Sequence, residues 1–236
     1  MNPEYILEVR GLTKYYNKNT APALNNVYLS IRLGRIVGLL GPNGSGKTTL
    51  IKLANGLLTQ NSGELLINGM KVSPETKKLV SYLPDRDFLP QWMKVSQALD
   101  YYGSFFEDFR RDRAEAMLAD LGVSLNSKIK TLSKGNREKV SLILTMARAA
   151  KLYLLDEPLA GVDPAARHYI LNTILSNYSD GSTVIISTHL ISDVEEILDD
   201  VIFVKNGVIE MVREASDIRE NEGKSVDELF REVYRW

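Results

Sequence analysis

The sequence contains no cysteine, only two histidines and no long hydrophobic run among its 236 residues. The absence of cysteine excludes disulfide bonds, metal–thiolate sites and cysteine nucleophiles, and it is typical of a reducing compartment such as the cytoplasm. Apolar runs such as residues 201–204 are far shorter than the roughly 20 residues that span a bilayer. We therefore expect no membrane helix. Because the first residues lack a basic segment followed by an apolar one, we also expect no secretory signal.

An excess of charge of either sign is also missing, since 29 Lys and Arg residues and 30 Asp and Glu residues give a formal net charge of −1. A chain without a basic excess lacks the field that attracts nucleic acid, so we expect no nucleic-acid partner. The hydrophobic fraction of 44% and the charged fraction of 25% are those of a folded globular protein. A chain of this length can bury one substantial core and still carry an inserted subdomain.

The sequence does have a glycine-rich loop. Residues 41–48 read G-P-N-G-S-G-K-T and directly follow the apolar run at residues 36–40. A strand that turns through glycines into a helix directs backbone N–H groups and the positive end of the helix dipole at one point, which suits a nucleotide phosphate. We expect Lys47 to reach the β- and γ-phosphates and the Thr48 hydroxyl to hold Mg²⁺. The alternative is a chance match on a glycine-rich turn, which the preceding strand and the following helix-forming residues disfavour.

Two adjacent acidic residues follow a second apolar run. Residues 152–158 read L-Y-L-L-D-E-P, so Asp156 and Glu157 stand where a buried strand ends. In open α/β sheets ligands bind at this edge of the strands. We expect Asp156 to orient Mg²⁺ and Glu157 to polarise the water that attacks the γ-phosphate. The alternative is an ordinary solvated turn.

The spacing of apolar residues predicts a mixed α/β fold. Alternation near period two is typical of half-buried strands, continuous apolar runs are typical of central parallel strands, and Asn-Gly pairs are typical of tight hairpins. Spacing of three and four residues predicts amphipathic helices between residues 96 and 121, and a capping box at residues 225–228 predicts a last helix through Tyr234. The predicted strands and hairpins are residues 5–10, 27–32, 64–72, 152–155 and 183–186, with a second Asn-Gly turn at residues 206–207.

Three further motifs follow the order of a known family. Residues 132–136, L-S-K-G-N, resemble the signature L-S-G-G-Q; residues 159–163, L-A-G-V-D, resemble a D-loop; and residues 187–189, S-T-H, resemble a switch histidine after a strand. Alone, the first is also explained as a helix N-terminus capped by Ser133, and the last as an incidental histidine. Together with the glycine-rich loop and the acidic pair, the chain from residue 7 to about residue 212 resembles the ATP-binding cassette (ABC) ATPases.

This resemblance implies a P-loop NTPase fold, with a three-layer, RecA-like α/β core, an N-terminal antiparallel β subdomain and an inserted helical subdomain. We expect a single ABC ATPase domain over residues 1–236. Its expected parts are residues 1–83 (β subdomain and phosphate-loop part of the core), 84–136 (helical subdomain and signature), 137–212 (rest of the core) and 213–236 (C-terminal tail helix).

The resemblance also implies the residues of the site, in which ATP lies between two cassettes arranged head to tail. The implied catalytic residues are Glu157, His189, Lys47 and Asp85. The implied Mg²⁺ ligands are Thr48, Asp85 and Asp156. The implied ATP-binding residues are Tyr16, Gly41, Pro42, Asn43, Gly44, Ser45, Gly46, Lys47, Thr48 and Thr49 of one cassette and Ser133 and Gly135 of the other. Tyr16 would stack on adenine, and Tyr15 is the alternative for that role.

Two parts of the sequence depart from the family pattern. Asp85 stands where the family has a glutamine that ligates Mg²⁺, and an ionised aspartate is shorter and cannot donate a hydrogen bond. We expect Asp85 still to approach Mg²⁺ in the ATP-bound dimer; the alternative is that it caps the following turn. The signature has Lys134 and Asn136 in place of a glycine and a glutamine. With Lys139 further on, this form resembles exporter-type ATPases of the bacterial drug, bacitracin and gliding-type group.

The function implied by the resemblance is that of the ATP-binding and ATP-hydrolysing subunit of a bacterial ABC transporter of the exporter type. The implied partners are a transmembrane permease subunit on a separate chain and a second ABC ATPase subunit, at the cytoplasmic face of the cell membrane. One alternative is a soluble ABC ATPase that acts on nucleic acid or ribosomes, which the single short cassette and the balanced charge disfavour. Another is a degenerate regulatory ATPase, for which Asp85 is the only motivation.

Aromatic residues are concentrated in the expected helical subdomain and in the loop that leads to it. Helical spacing predicts that Tyr102, Phe105 and Phe106 lie in the core of that subdomain. Phe88 and Trp92 stand in a proline-flanked loop and are better candidates for contact with a partner, because aromatic side chains are enriched at interfaces. In the ABC family this region receives a helix of the membrane subunit.

Overall fold

Two β-sheets and two groups of helices form the structure, a computed structural model that describes residues 4–17 and 19–234. The strands are β1 (Tyr5–Lys14), β2 (Leu24–Arg32), β3 (Ile36–Leu40), β4 (Ser62–Ile67), β5 (Met70–Lys71), β6 (Val80–Leu83), β7 (Leu152–Asp156), β8 (Thr183–Thr188), β9 (Asp200–Lys205) and β10 (Val208–Glu214). The helices are α1 (Lys47–Ala54), α2 (Pro74–Leu79), α3 (Val95–Phe105), α4 (Arg111–Asp120), α5 (Lys134–Met146), α6 (Pro164–Asn177), α7 (Ile191–Val194), α8 (Ala215–Asn221) and α9 (Val226–Tyr234).

The larger sheet has the strand order β10-β9-β3-β8-β7-β6. Its five strands from β9 to β6 run parallel, and β10 is an antiparallel edge strand. Every residue of β3, β7 and β8 is buried, as continuous apolar runs predict for strands covered on both faces. Leu40 pairs with Thr188, and Asp156 pairs with Ser187. The carboxyl ends of these three central strands therefore meet at one edge of the sheet, where the site lies.

The smaller sheet is antiparallel and has the order β2-β1-β4-β5. Its alternating strands confirm the period-two interpretation, since every second residue from Val27 to Ile31 is buried. The predicted hairpin between β4 and β5 turns at Asn68 and Gly69, whose φ angles are 50° and 76°, because such a tight turn needs left-handed backbone. Buried residues of this sheet share one apolar cluster with α1 and with one face of the larger sheet. The expected α/β fold with an N-terminal antiparallel sheet is thus confirmed.

Helices α3 and α4 and one face of α5 enclose a small separate core. In α5, Val140 and Ile143 belong to this helical core, whereas Leu142 and Met146 pack into the core of the larger sheet. Tyr102 is buried in the helical core, as predicted. The prediction for Phe105 is wrong: its side chain is 65% exposed, because it lies on the same face of α3 as the exposed Tyr101, whose ring centroid is 4.6 Å away. Helix α5 therefore contributes side chains to both cores.

The C-terminal segment packs onto the larger sheet. The predicted capping box is confirmed, since the Glu228 N–H donates to Ser225 Oγ at 3.1 Å and the Ser225 N–H donates to Glu228 Oε2 at 2.8 Å. Phe230 is buried, and the Tyr234 hydroxyl donates to the carbonyl of Val204 at 2.8 Å.

No helix within residues 4–17 and 19–234 has the length and apolar character needed to cross a membrane.

Candidate active site

The glycine-rich loop connects β3 to α1, as the sequence predicts. Gly44 and Gly46 have φ angles of 81° and 115°, which L side chains rarely adopt. A Cβ atom on Gly46 would also lie 2.6 Å from the carbonyl oxygen of Ala23, so only glycine fits at this position. The loop thereby delivers the chain into the first turn of α1, whose N–H groups have no partner within the helix. Unpaired N–H groups at a helix start are a suitable cradle for phosphate oxygens.

Lys47 is the first residue of α1, and its side chain is folded back over the loop. Its Nζ donates to the carbonyl of Gly41 at 2.6 Å and to that of Pro42 at 3.2 Å, and it lies 3.5 Å from Glu157 Oε1. The side chain is 5% exposed. Burial lowers the pKa of Lys47, and the charge of Glu157 opposes that shift. The ammonium group is therefore a desolvated charge beside the loop, well placed to exchange loop carbonyls for phosphate oxygens.

Asp156 ends β7 and is fully buried. Its Oδ1 accepts hydrogen bonds from Thr48 Oγ1 at 3.0 Å and from Ser187 Oγ at 2.6 Å. Within the described part of the chain, its Oδ2 has no hydrogen-bond partner. Burial raises the pKa of Asp156, and the charges of Asp85 and Glu157 add to the rise. An unpaired carboxylate oxygen beside a threonine hydroxyl fits the oxygen ligands that Mg²⁺ prefers.

The expected Mg²⁺ ligands Thr48 and Asp156 are too few to hold the ion by themselves. Among the residues that the structure describes, no group of three or more His, Cys, Asp or Glu side chains could hold a metal ion. Mg²⁺ commonly binds through one or two protein oxygens together with phosphate oxygens and water. Thr48 and Asp156 fit that pattern, because they supply neighbouring oxygens at the mouth of the phosphate loop.

We expect Asp156→Asn to raise the free energy of unfolding of the nucleotide-free protein by about 1–2 kcal/mol, because the amide removes a buried charge with an unpaired oxygen. The raised pKa of Asp156 means that the folded protein holds this proton more tightly than the unfolded chain. The stability from protonation is present below the ordinary aspartate pKa and is lost as pH rises through the raised value. The gain should therefore be largest at neutral pH and should shrink as the pH falls toward about 4.

Urea denaturation of the wild type and of Asp156→Asn across this pH range measures the effect. The control is Asp180→Asn, which changes an exposed aspartate in a turn. An Asp156→Asn variant that is no more stable than the wild type at neutral pH would contradict the expectation.

Glu157 is positioned by its backbone and by its two carboxylate oxygens. Its φ angle of 51° is left-handed, a conformation that costs a non-glycine residue about 1–2 kcal/mol. Its N–H donates to Ser187 O at 3.0 Å and to Ser187 Oγ at 3.1 Å. One carboxylate oxygen lies 3.5 Å from Lys47 Nζ, and the other lies 3.0 Å from His189 Nδ1. The structure therefore brings the predicted acid, lysine and histidine together.

Tyr16 lies beside the phosphate loop and is 64% exposed. Its hydroxyl shares a hydrogen bond of 3.1 Å with Thr49 Oγ1 in α1. Tyr15 is only partly exposed, and its N–H donates to Asn61 Oδ1 at 2.8 Å, on the side of β4. The geometry favours Tyr16 over Tyr15 as the aromatic side chain available to a nucleotide base, and its stacking role stays a prediction.

Asp85 follows β6, and its side chain is 34% exposed. It lines a cleft of about 230 Å³ together with Glu157 and Lys134. Its Oδ2 lies 3.9 Å from Arg86 Nε, and none of the hydrogen bonds among the described residues joins its carboxylate to the following turn. The capping alternative therefore lacks support. The charge of Asp85 contributes to the raised pKa of Asp156, so the two carboxylates interact electrostatically.

Ser133 and Gly135 lie at the start of α5. Ser133 is exposed and caps the helix, since its Oγ accepts a hydrogen bond from the Asn136 N–H at 3.3 Å. A Cβ atom on Gly135 would face open space. Within residues 4–17 and 19–234, no hydrogen bond or ion pair joins either residue to the phosphate loop. The structure therefore leaves this exposed turn apart from the loop of its own chain.

Comparisons with known proteins show which family and fold this chain resembles. The family model described as ABC transporter matches residues 24–160. An uncharacterized ABC transporter ATP-binding protein of Synechocystis sp. is 31% identical over 204 residues, which are 83% of this chain and 57% of that protein. The Nod factor export ATP-binding protein I of Ralstonia nicotianae is 30% identical over 210 residues, or 86% of this chain and 65% of that protein.

The solved structures include one described as the ATP binding subunit of an ABC transporter. It shares 29% identity, has a TM-score of 0.86 and is matched over 97% of this chain and 99% of that chain. The chain belongs to the ABC transporter family. It is an ABC ATPase cassette, with the fold that the motifs predicted, and it spans only 57% and 65% of the length of the two relatives named above.

One residue of the cassette's site was missed as a separate candidate, namely Ser187. Its hydroxyl donates to Asp156, and its oxygens accept the N–H of Glu157, so it orients both acids of the pair. A signal was present, because Ser187 is a polar residue that follows the run V-I-I of β8 and precedes the histidine by two positions. A buried hydroxyl in a central strand needs a partner, which makes such a position informative.

Proposed function

We propose that this cassette hydrolyses ATP in the presence of Mg²⁺ and powers an ABC exporter. The observation that carries the proposal is the position of Glu157, whose carboxylate lies between Lys47 and His189 and directly follows Asp156. A carboxylate held at fixed distance from a phosphate-binding lysine and a histidine is suited to polarise a water molecule. Phosphoryl transfer is catalysed chiefly by positioning and by charge stabilisation, and these side chains supply both.

Each side chain has a distinct part in this chemistry. Glu157 accepts a hydrogen bond from the attacking water, and His189 holds that carboxylate while contacting the γ-phosphate. Lys47 neutralises charge on the β- and γ-phosphates. Thr48, Asp156 and Asp85 would hold Mg²⁺, which when bound screens phosphate charge.

A second cassette completes the site in this proposal. Ser133 and Gly135 are exposed or open at the N-terminus of α5, where N–H groups and the helix dipole favour an anion. Within the part of the chain that the structure describes, they make no bond to their own phosphate loop. A head-to-tail pair of cassettes would place them against the ATP that is held by the loop of the other chain.

The exporter assignment rests on similarity and on the signature. The relative from Ralstonia nicotianae is described as an export ATP-binding protein, and the L-S-K-G form of the signature resembles the exporter-type group. We propose that a membrane subunit on a separate chain docks on the helical subdomain, which places the cassette at the cytoplasmic face of the membrane. Trp92 and Phe105 are 67% and 65% exposed, and such exposed aromatics support a protein partner at this surface.

Co-purification of Glu157→Gln tests the proposed assembly. This variant should retain ATP between closed cassettes, so its complexes are expected to survive solubilisation of host membranes in detergent with ATP and Mg²⁺. Stoichiometric recovery of a multi-span membrane protein is the expected result. Recovery of ribosomes or nucleic acid instead would favour a soluble ABC ATPase and contradict the exporter proposal. Glu210→Gln, on the exposed edge strand β10, is the matched control.

A further inference from the structure

We propose that Arg137 is a positioning residue that ties the loop of residues 84–87 to the signature turn of residues 132–136. The inference deepens the proposed function and rests on it. The loop contains Asp85, which lines the same cleft as Glu157 in its own chain. The signature turn contains Ser133, which would face the ATP of the partner cassette. A direct contact between these two segments would make the geometry of one depend on the other.

The contact is made by one guanidinium group. Arg137 Nε donates to Asp87 Oδ2 at 3.1 Å, and Arg137 Nη1 donates to the carbonyl of Leu132 at 2.8 Å. Asp87 stands two residues after Asp85, and Leu132 immediately precedes Ser133. The planar guanidinium group holds both acceptors in a fixed relation, because its N–H groups cannot rotate independently. The tether therefore spans 50 residues of sequence and ends within two residues of both motif positions.

The electrostatics of the first turn of α5 favour an acidic partner for Arg137. The first turn of the helix contains no acidic residue and begins with Lys134. A cation near a helix N-terminus is unfavourable because the helix dipole is positive there, and the carboxylate of Asp87 offsets that cost for Arg137. The Arg137 side chain is only 21% exposed, although that of Asp87 is 42% exposed.

The surrounding cleft contains the same two segments. Asp85 and Asp87 of the loop, Lys134 and Glu138 of α5 and Glu157 all line it. Arg137 therefore bonds a residue of this lining, Asp87.

The ion pair between Arg137 and Asp87 contributes little to the stability of the fold. A loss of turnover without a loss of stability would therefore indicate a positioning role. Asp87 is 42% exposed, and solvent screens the attraction in an ion pair with an exposed partner. Replacing either partner should leave the melting temperature nearly unchanged. The kcat for ATP hydrolysis should fall, because a misplaced signature turn cannot donate its hydrogen bonds to the transition state in the partner site.

A double-mutant cycle on the full chain tests the tether. Arg137→Gln, Asp87→Asn and the double variant are compared for kcat, for the Kd of a fluorescent ATP analogue, for melting temperature and for ATP-dependent dimerisation in the Glu157→Gln background. We expect each single variant to lower kcat by about tenfold, the factor expected for a lost charge-assisted hydrogen bond. The double variant should be no slower than the slower single variant. Nucleotide affinity of the single cassette should be unchanged. Arg111→Gln, which breaks the exposed contacts to Asp100 and Glu115, is the control.

The kcat of Asp87→Asn distinguishes the proposed tether from a direct contact between Arg137 and ATP. A direct contact predicts a slow Arg137→Gln and a normal Asp87→Asn, and that pattern would overturn the proposal. Additive losses, or losses accompanied by a lower melting temperature, would overturn it as well. The proposed function itself would be refuted by a different result: a wild type that does not hydrolyse ATP, together with a Glu157→Gln variant that does not dimerise with ATP.

Discussion

Replacing Glu157 with glutamine is expected to lower kcat for ATP hydrolysis by about 10²–10⁴-fold, the usual contribution of a positioned general base. The amide keeps the shape of the side chain and its place beside Lys47 and His189, but it cannot accept a proton. ATP binding should persist, because the phosphate loop and Tyr16 are untouched. Steady-state phosphate release gives kcat, and equilibrium binding of a fluorescent ATP analogue gives the affinity.

The same substitution at an exposed position provides the control for this experiment. Glu210→Gln changes a surface glutamate of β10 and should hydrolyse ATP at the wild-type rate. If Glu157→Gln also turned over at that rate, Glu157 would not be the base. His189→Ala would then be the next variant to measure, since His189 Nδ1 lies 3.0 Å from the Glu157 carboxylate.

Replacing Arg148 with methionine is expected to lower the free energy of unfolding by about 3–5 kcal/mol, because it removes several charge-assisted hydrogen bonds of a buried guanidinium group. Arg148 is 2% exposed and donates to both carboxylate oxygens of Asp108, at 2.9 and 3.1 Å. It also donates to the carbonyls of Val80 and Lys78 at 2.5 and 2.6 Å, and it lies 3.9 Å from the ring centroid of Phe106. Its loss leaves a carboxylate and two carbonyls without their cation.

Chemical denaturation of Arg148→Met and of Arg111→Met measures this difference. Arg111 bonds exposed carboxylates at the surface of the helical subdomain, so its replacement should cost no more than about 0.5–1 kcal/mol. Asp108→Asn keeps the shape of the pair without its negative charge, and it is the milder variant if Arg148→Met fails to fold. Equal stability of Arg148→Met and the wild type would mean that the two subdomains do not depend on this contact.

Local patterns predicted the parts of the site that lie close together in sequence. The glycines of the phosphate loop, the buried strands that precede the loop and Asp156, and the Asn-Gly turns are each specified by short-range backbone chemistry. The position of Asp156 beside Thr48 also followed, because parallel strands bring their carboxyl ends to one edge. These elements are recognisable from sequence since neighbours in the chain decide their conformation.

Contacts between distant segments were not predictable in the same way. Arg148 and Asp108 are 40 residues apart, and Arg137 and Asp87 are 50 apart. Any of the chain's many charged residues could form such a pair, and nothing in the local pattern selects one. Phe105 shows the same limit, because helical spacing predicted a core position for it although it lies on the exposed face of α3 beside Tyr101.

By itself, the sequence determined the family, the order of the strands and helices around the phosphate loop and the identity of the acidic pair, since these depend on period, turn chemistry and motif spacing. The tertiary structure alone decided that Ser187 orients both acids, that Arg148 joins the helical subdomain to β6 and that Arg137 contacts the loop of residues 84–87. Such contacts depend on how the two cores pack around α5, and packing selects among many possible partners only after the chain has folded.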